Sequence, residues 1–160
     1  MKIYTLSKTE SEAIIDKIRN TWPPSASLGK TKVIKVVEID EKHQLLIAES
    51  FRAVKLGEDI LPYVEDEHLL KGFPSVTVDV GAIRYVCNGA DVMRPGIVRT
   101  NGAFEKNQVV AVNEEKSDRF IAVGYGLVSH KDIKTMPRGP VIKTIHYIRD
   151  KFWDTGRQVH

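Results

Sequence analysis

A chain of 160 residues, 42% hydrophobic and 28% charged, has the make-up of a globular protein with enough apolar residues for one ordinary domain or two small ones. No apolar run approaches the roughly 20 residues that span a bilayer, Met1-Lys2-Ile3-Tyr4 lacks the apolar stretch of a signal peptide, and a single cysteine cannot form an internal disulfide. The expectation is therefore no membrane and a reducing, cytoplasmic setting.

The net charge of +3 is unevenly spread: residues 1–73 carry 11 Lys+Arg against 12 Asp+Glu, and residues 74–160 carry 13 against 9. Seven of the nine arginines fall in the second part, where a planar guanidinium suits phosphate oxygens and base edges better than an ammonium does.

In chain order, a strand over Lys2–Leu6 leads to Ser7, three residues before Glu10, the spacing of a capping box. Ile14, Ile18 and Trp22 then line one face of a helix that Pro23-Pro24 ends. Extended segments follow at Lys32–Ile39, Gln44–Ala48 and Phe51–Leu56, the first two joined by a turn at Asp40–His43. A polar, partly helical segment over Leu61–Leu70, with Glu65-Asp66-Glu67 as a solvated helix start, leads to Gly72-Phe73-Pro74, which marks a domain boundary. The remainder reads as short Val/Ile-rich strands at Ser75–Val80, Gly96–Thr100, Gln108–Asn113, Phe120–Ser129 and Val141–Ile148. Such a run, with one or two helical turns, predicts a small closed or nearly closed barrel. The fold class is α+β, with a small α/β unit over residues 1–73 and a mixed β-barrel over 75–153.

The densest motif is VTVDVGAIRYVCNGADVMRPGIV, residues 76–98. An alternating strand meets Gly81-Ala82 and a short helical turn, breaks at Asn88-Gly89-Ala90, and gives a second strand opening at Met93-Arg94-Pro95-Gly96. Gly81, Gly89 and Gly96 permit tight turning and close approach of a phosphate or base, and free N–H groups at the start of the turn would favour an anion. Arg84 and Arg94 flank the loop and can reach phosphates. Tyr85 could stack on an unpaired base, although the ordinary place for Tyr85 and Met93 is the core.

This motif resembles the PUA domain, an RNA-binding module. Ile121-Ala122-Val123-Gly124 and Arg138-Gly139 with Val141 to Ile148 look like its later strands, so the resemblance covers residues 75–153. Continuation through Asp150 to Trp153, and Asp59–Tyr63 ahead of it, narrow the likeness to the translation-associated malignant T-cell amplified sequence family, which has a small α/β (pre-PUA) domain before its PUA domain. The resemblance implies an RNA surface of Arg84, Tyr85, Asn88, Gly89, Ala90, Asp91, Met93, Arg94 and Pro95, joined by Lys143 or His146 from the closing strand. It implies a protein without catalytic residues, metal or cofactor, whose partners are RNA (tRNA or rRNA) and possibly the ribosomal small subunit or a SUI1-domain protein. An accessory RNA-binding subunit of a modification enzyme is the alternative. Two of these residues also have structural readings: Asp91 would repel RNA unless it accepts from a base amino group, and His146 suits a satisfied place in an apolar strand.

Other motifs carry nothing. Gly29-Lys30-Thr31 echoes a P-loop, but Pro24 stands where its first glycine belongs, and a strand follows where a helix is needed. Gly124-Tyr125-Gly126 lacks the third glycine of a dinucleotide fingerprint. Five isolated histidines and one cysteine do not build a structural zinc site. Cys87 reads as a small buried hydrophobe. The expectation is that 160 residues are too few to hold a pseudouridine synthase or transglycosylase catalytic domain beside the barrel.

Overall fold

The structure is a computed structural model describing residues 1–159. β1 (Lys2–Thr5) is followed by α1 (Lys8–Thr21), which Ser7 caps as the spacing predicts: its hydroxyl accepts the Glu10 N–H, and the Glu10 carboxylate accepts the Ser7 N–H. The helix buries Ser11, Ile15 and Ile18, and Trp22 ends it beside the two prolines. β2 (Lys35–Glu38), β3 (His43–Ile47), β4 (Arg52–Leu56) and β5 (Asp59–Pro62) complete an antiparallel sheet in the order β1-β2-β3-β4-β5.

Three departures from the sequence reading fall in this first half. The strand expected from Lys32 starts at Lys35, because the Ile34 N–H is bonded to the Ser11 hydroxyl (3.0 Å) and the Ile34 carbonyl to the Leu6 N–H (2.9 Å). The segment over residues 61–70 is mainly the end of β5 and one turn, α2 (Glu67–Leu70). Asp66 is not a solvated helix start: its carboxylate accepts the Arg52 N–H at 2.7 Å and pairs with the Arg52 guanidinium at 3.1 Å.

The second sheet contains β6 (Ser75–Val78), β7 (Val92–Met93), β8 (Ile97–Asn101), β9 (Val109–Glu114), β10 (Phe120–Gly126) and β11 (Pro140–Tyr147), in the order β7-β11-β10-β9-β6-β8. All its pairs are antiparallel except β6 with β9. Between β6 and β7 lie a 3-10 turn at Val80–Ala82 and the short helix α3 (Ile83–Val86), the expected helical turn. The strand expected to run to Ser129 ends at Gly126, and Ser129 instead caps the short helix α4 (His130–Ile133), its hydroxyl accepting the Asp132 N–H.

β9 explains how the halves join. Every residue in it is buried, as expected of a strand covered on both faces. Side chains alternate across a sheet, so Val110 and Val112 fill the barrel with Val76, Val78 and Ile142. Val109 and Ala111, with Val123 of β10, join Ile18, Trp22, Leu45 and Leu61 in the core of the first sheet. α5 (Lys151–Gln158), absent from the sequence reading, leaves the barrel and packs back on β3, burying Phe152 in that same core.

Candidate nucleic-acid interface

Asp79 ends β6 and governs the entry to α3. Its carboxylate accepts the Ala82 N–H at 2.9 Å, so the anion expected at this helical start is already supplied by the chain itself. That expectation is corrected: a donor already bonded to Asp79 is not free for a phosphate.

α3 ends in a Schellman pattern: the Gly89 N–H bonds to the Val86 carbonyl and the Ala90 N–H to the Tyr85 carbonyl. The residue between these turns must be left-handed, and Gly89 has φ +91°. It also lies against the Tyr147 ring, where a Cβ would sit 3.3 Å from the hydroxyl. Gly81 and Gly96, expected to serve in the same way, do not adopt a left-handed φ. The loop is then pinned to β11. The Asp91 carboxylate accepts the Thr144 N–H at 3.3 Å, the Arg94 N–H bonds to the Gly139 carbonyl at 2.8 Å, and Val92 pairs with Ile142.

This framework exposes most of the residues named from the sequence. Arg84, Asn88, Ala90, Asp91, Pro95 and Lys143 are exposed, and Gly89 is half-buried. Tyr85 and Met93 are not core residues: they are 56% and 48% exposed, because α3 turns Val86 inward instead. The Arg84 guanidinium stacks on the Tyr85 ring at 4.8 Å from its centre and donates to its hydroxyl at 2.9 Å. Tyr85, Ala82, Ala90, Met93 and Pro95 line a largely apolar hollow of about 370 Å³, to whose lining Asp79 and Asp91 also contribute.

Two expected members stand elsewhere. Arg94 is half-buried, its Nε donating to the Ile133 carbonyl at 2.7 Å and its Nη1 to the Ile97 carbonyl at 3.3 Å, so it ties α4 to β8. His146 is fully buried, with Nδ1 against the Asp150 carboxylate at 2.8 Å and Nε2 accepting the Val64 N–H at 3.1 Å. With both ring nitrogens engaged inside the protein, it has nothing to offer a ligand, and its place on the surface is withdrawn.

The sequence reading passed over Ile148 and Arg149, which the structure sets beside Arg84, Cys87 and Asn88. The available signal was Asp150, whose carboxylate caps α5 through the Trp153 N–H and fixes the turn just before it. Cys87 is half-buried here, and burial raises its thiol pKa, while the nearby Arg149 and Arg119 act in the opposite sense.

A barrel of this strand order, with a helical turn and a glycine loop beside its closing strand, defines the class: the model of the PUA domain family matches residues 74–148. Malignant T-cell-amplified sequence 1 homolog of Drosophila melanogaster is 34% identical, over 94% of this chain and 90% of that protein. Translation machinery-associated protein 20 of Eremothecium gossypii is 28% identical, over 79% of this chain and 75% of that protein. The crystal structure of a hypothetical protein from Pyrococcus horikoshii superposes with a TM-score of 0.78 at 32% identity, covering 96% of this chain and 99% of that one. The chain thus belongs to the PUA-domain proteins of the malignant T-cell-amplified sequence type. No helix among the described residues is long and apolar enough to cross a membrane.

Proposed function

We propose that this is a non-enzymatic RNA-binding protein of the translation machinery, holding RNA against α3, the loop to Pro95 and the exposed Lys143 of β11. The observation that carries this reading is the Arg84–Tyr85 pair. An aromatic ring 56% exposed beside an apolar hollow, with a guanidinium on one face, leaves the other face free for an unpaired base. Asn88, Ala90, Met93, Pro95 and Lys143 extend that surface, and the main-chain atoms around Gly89 and Asp91 shape it. The relatives named for the translation machinery support that setting; tRNA or rRNA as ligand, the ribosomal small subunit or a SUI1-domain protein as partner, and a cytoplasmic location are part of the proposal. The division into residues 1–73 and 75–153 belongs to this reading, the first unit buttressing the barrel and offering surface to a partner.

The test is fluorescence anisotropy with a labelled RNA hairpin carrying a single-stranded 3′ tail. Tyr85→Ala is expected to cost about 1–3 kcal/mol of binding, the worth of one stacked base. Arg84→Ala should weaken binding whatever the sequence and flatten the dependence of log affinity on log salt by about 0.7 unit. Unchanged affinity in the folded double variant would place any RNA site elsewhere. Co-sedimentation of the protein with small ribosomal subunits tests the setting.

A further inference from the structure

α3 is a ridge with two flanks, of which the surface just described uses one. On the other flank, Ile83, Arg84, Cys87 and Asn88 face Ile148 and Arg149 across a second hollow of about 700 Å³. Its lining includes two arginines and no acid, with an apolar floor. Arg119 adds positive charge close enough to act on the Cys87 thiol.

Arg149 has φ 80°, a left-handed conformation uncommon for a residue with a side chain. The neighbouring Asp150 fixes it there. Its carboxylate takes the Tyr147 N–H at 2.9 Å, the Trp153 N–H at 2.8 Å and the His146 ring at 2.8 Å. A turn determined from three sides holds an exposed arginine beside an apolar floor. Backbone outliers kept in this way concentrate where a ligand is gripped.

Resting on the RNA-binding reading above, we infer that this second flank seats a further single-stranded nucleotide of the same RNA. Arg149 and Arg84 take its phosphate, and Ile83 and Ile148 receive its base or ribose. Arg84 belongs to both flanks, so a strand crossing the ridge there passes from one hollow into the other. Arginine's fork suits a phosphate, and an apolar floor suits a base, whereas a free inorganic anion would have no use for Ile83 and Ile148.

Cys87, the only cysteine, lines this hollow and makes a built-in reporter. The full chain is treated with N-ethylmaleimide at mildly alkaline pH, alone, with the tailed hairpin RNA, with the same hairpin lacking the tail, and with an acidic peptide. The tailed RNA is expected to slow alkylation several-fold and the blunt hairpin to leave it unchanged. In parallel, Arg149→Ala and Arg149→Gly should weaken tailed-RNA binding about ten-fold at low salt and lower the salt slope by about 0.7 unit. Glycine accepts a positive φ without strain, so that variant keeps the turn folded; Lys8→Ala, at the start of α1, is the control and should bind as the parent does. If tailed RNA binds but Cys87 reacts at its free rate and both Arg149 variants bind normally, the second flank is overturned and the first stands. Equal protection by the acidic peptide overturns the assignment to RNA. Failure of the parent chain to bind either RNA overturns both readings.

Discussion

His146 Nε2 accepts the Val64 N–H at 3.1 Å, a bond from the closing strand of the barrel to the chain leaving the first sheet. The other ring nitrogen meets the Asp150 carboxylate, which fixes the proton on Nδ1 and leaves Nε2 as an acceptor. The ring lies between Tyr63 and Phe152, each 5.4 Å away between centres. One imidazole thus joins three elements: β11, the segment after β5, and α5.

His146→Ala strands the buried Val64 N–H and opens a void between two aromatic rings. An unsatisfied buried donor costs about 1–3 kcal/mol and the void adds to it, so a loss of about 2–4 kcal/mol is expected in urea unfolding. RNA affinity of the folded variant should stay within about two-fold, since the ring does not reach the surface. A large, selective loss of RNA binding with stability intact would restore His146 to the interface.

Tyr63 gives the junction a pH dependence on the alkaline side. Its hydroxyl donates to the Trp153 carbonyl at 3.1 Å, and burial, opposed by Arg52, pushes its pKa up to about 12 from 10.0. The folded pKa is the higher one, so the stabilising contribution is complete below pH 10.0 and is lost as pH rises through about 12. Tyr125, also raised by burial and by Asp59, drives stability the same way. Tyr63→Phe should cost about 1 kcal/mol at neutral pH and decline less steeply above pH 10. Urea midpoints taken across that range decide it; parallel declines in parent and variant would remove Tyr63 from the account.

Gly156 sits inside α5 where propensity alone would prefer alanine by about 1 kcal/mol. A Cβ there would strike the Tyr63 ring, with its Cζ at 2.5 Å and Cε1 at 2.6 Å. The ring is buried and held by Arg52 stacked 4.2 Å from its centre, so it cannot swing away. Overpacking of this kind costs about 1–3 kcal/mol, and the steric effect should win. Gly156→Ala is predicted to lower Tm, whereas Gly156→Ala in a Tyr63→Ala background should cost little or even stabilise.

Local signals in the sequence located the capping box, the end of α1 at Trp22, the turn at α3 and five of the six strands of the second sheet, β7 (Val92–Met93) being the one not read, because each depends on residues close together in the chain. What escaped depends on distant partners. α5 has few apolar residues and becomes legible only once Phe152 has β3 to pack on. The burial of His146 turns on Val64, 82 residues away. Arg94 had the composition of a phosphate ligand, but its guanidinium is taken by carbonyls on α4 and β8. Tyr85 erred in the opposite direction, because an aromatic ring in a short helix looks like core until Val86 is seen to occupy that side.

Arg84 and Arg94, alike in the sequence motif, should therefore separate in experiment. Arg94→Ala leaves the Ile133 and Ile97 carbonyls without their charged donor, a loss of about 1.5–3 kcal/mol. Arg94→Lys should recover little, because one ammonium cannot reproduce the fork that spans both carbonyls. Arg84 is exposed and, among the described residues, its side chain bonds only to the neighbouring Tyr85 hydroxyl, so its removal should change stability by less than about 0.5 kcal/mol. Its effect belongs in RNA affinity and in the salt slope. Urea unfolding and RNA titration on the same preparations give four numbers for the two alanine variants. The expected pattern is Arg94→Ala low in stability with a salt slope unchanged, and Arg84→Ala stable with a shallower slope. A shallower slope in folded Arg94→Ala would return that guanidinium to the phosphate-binding surface.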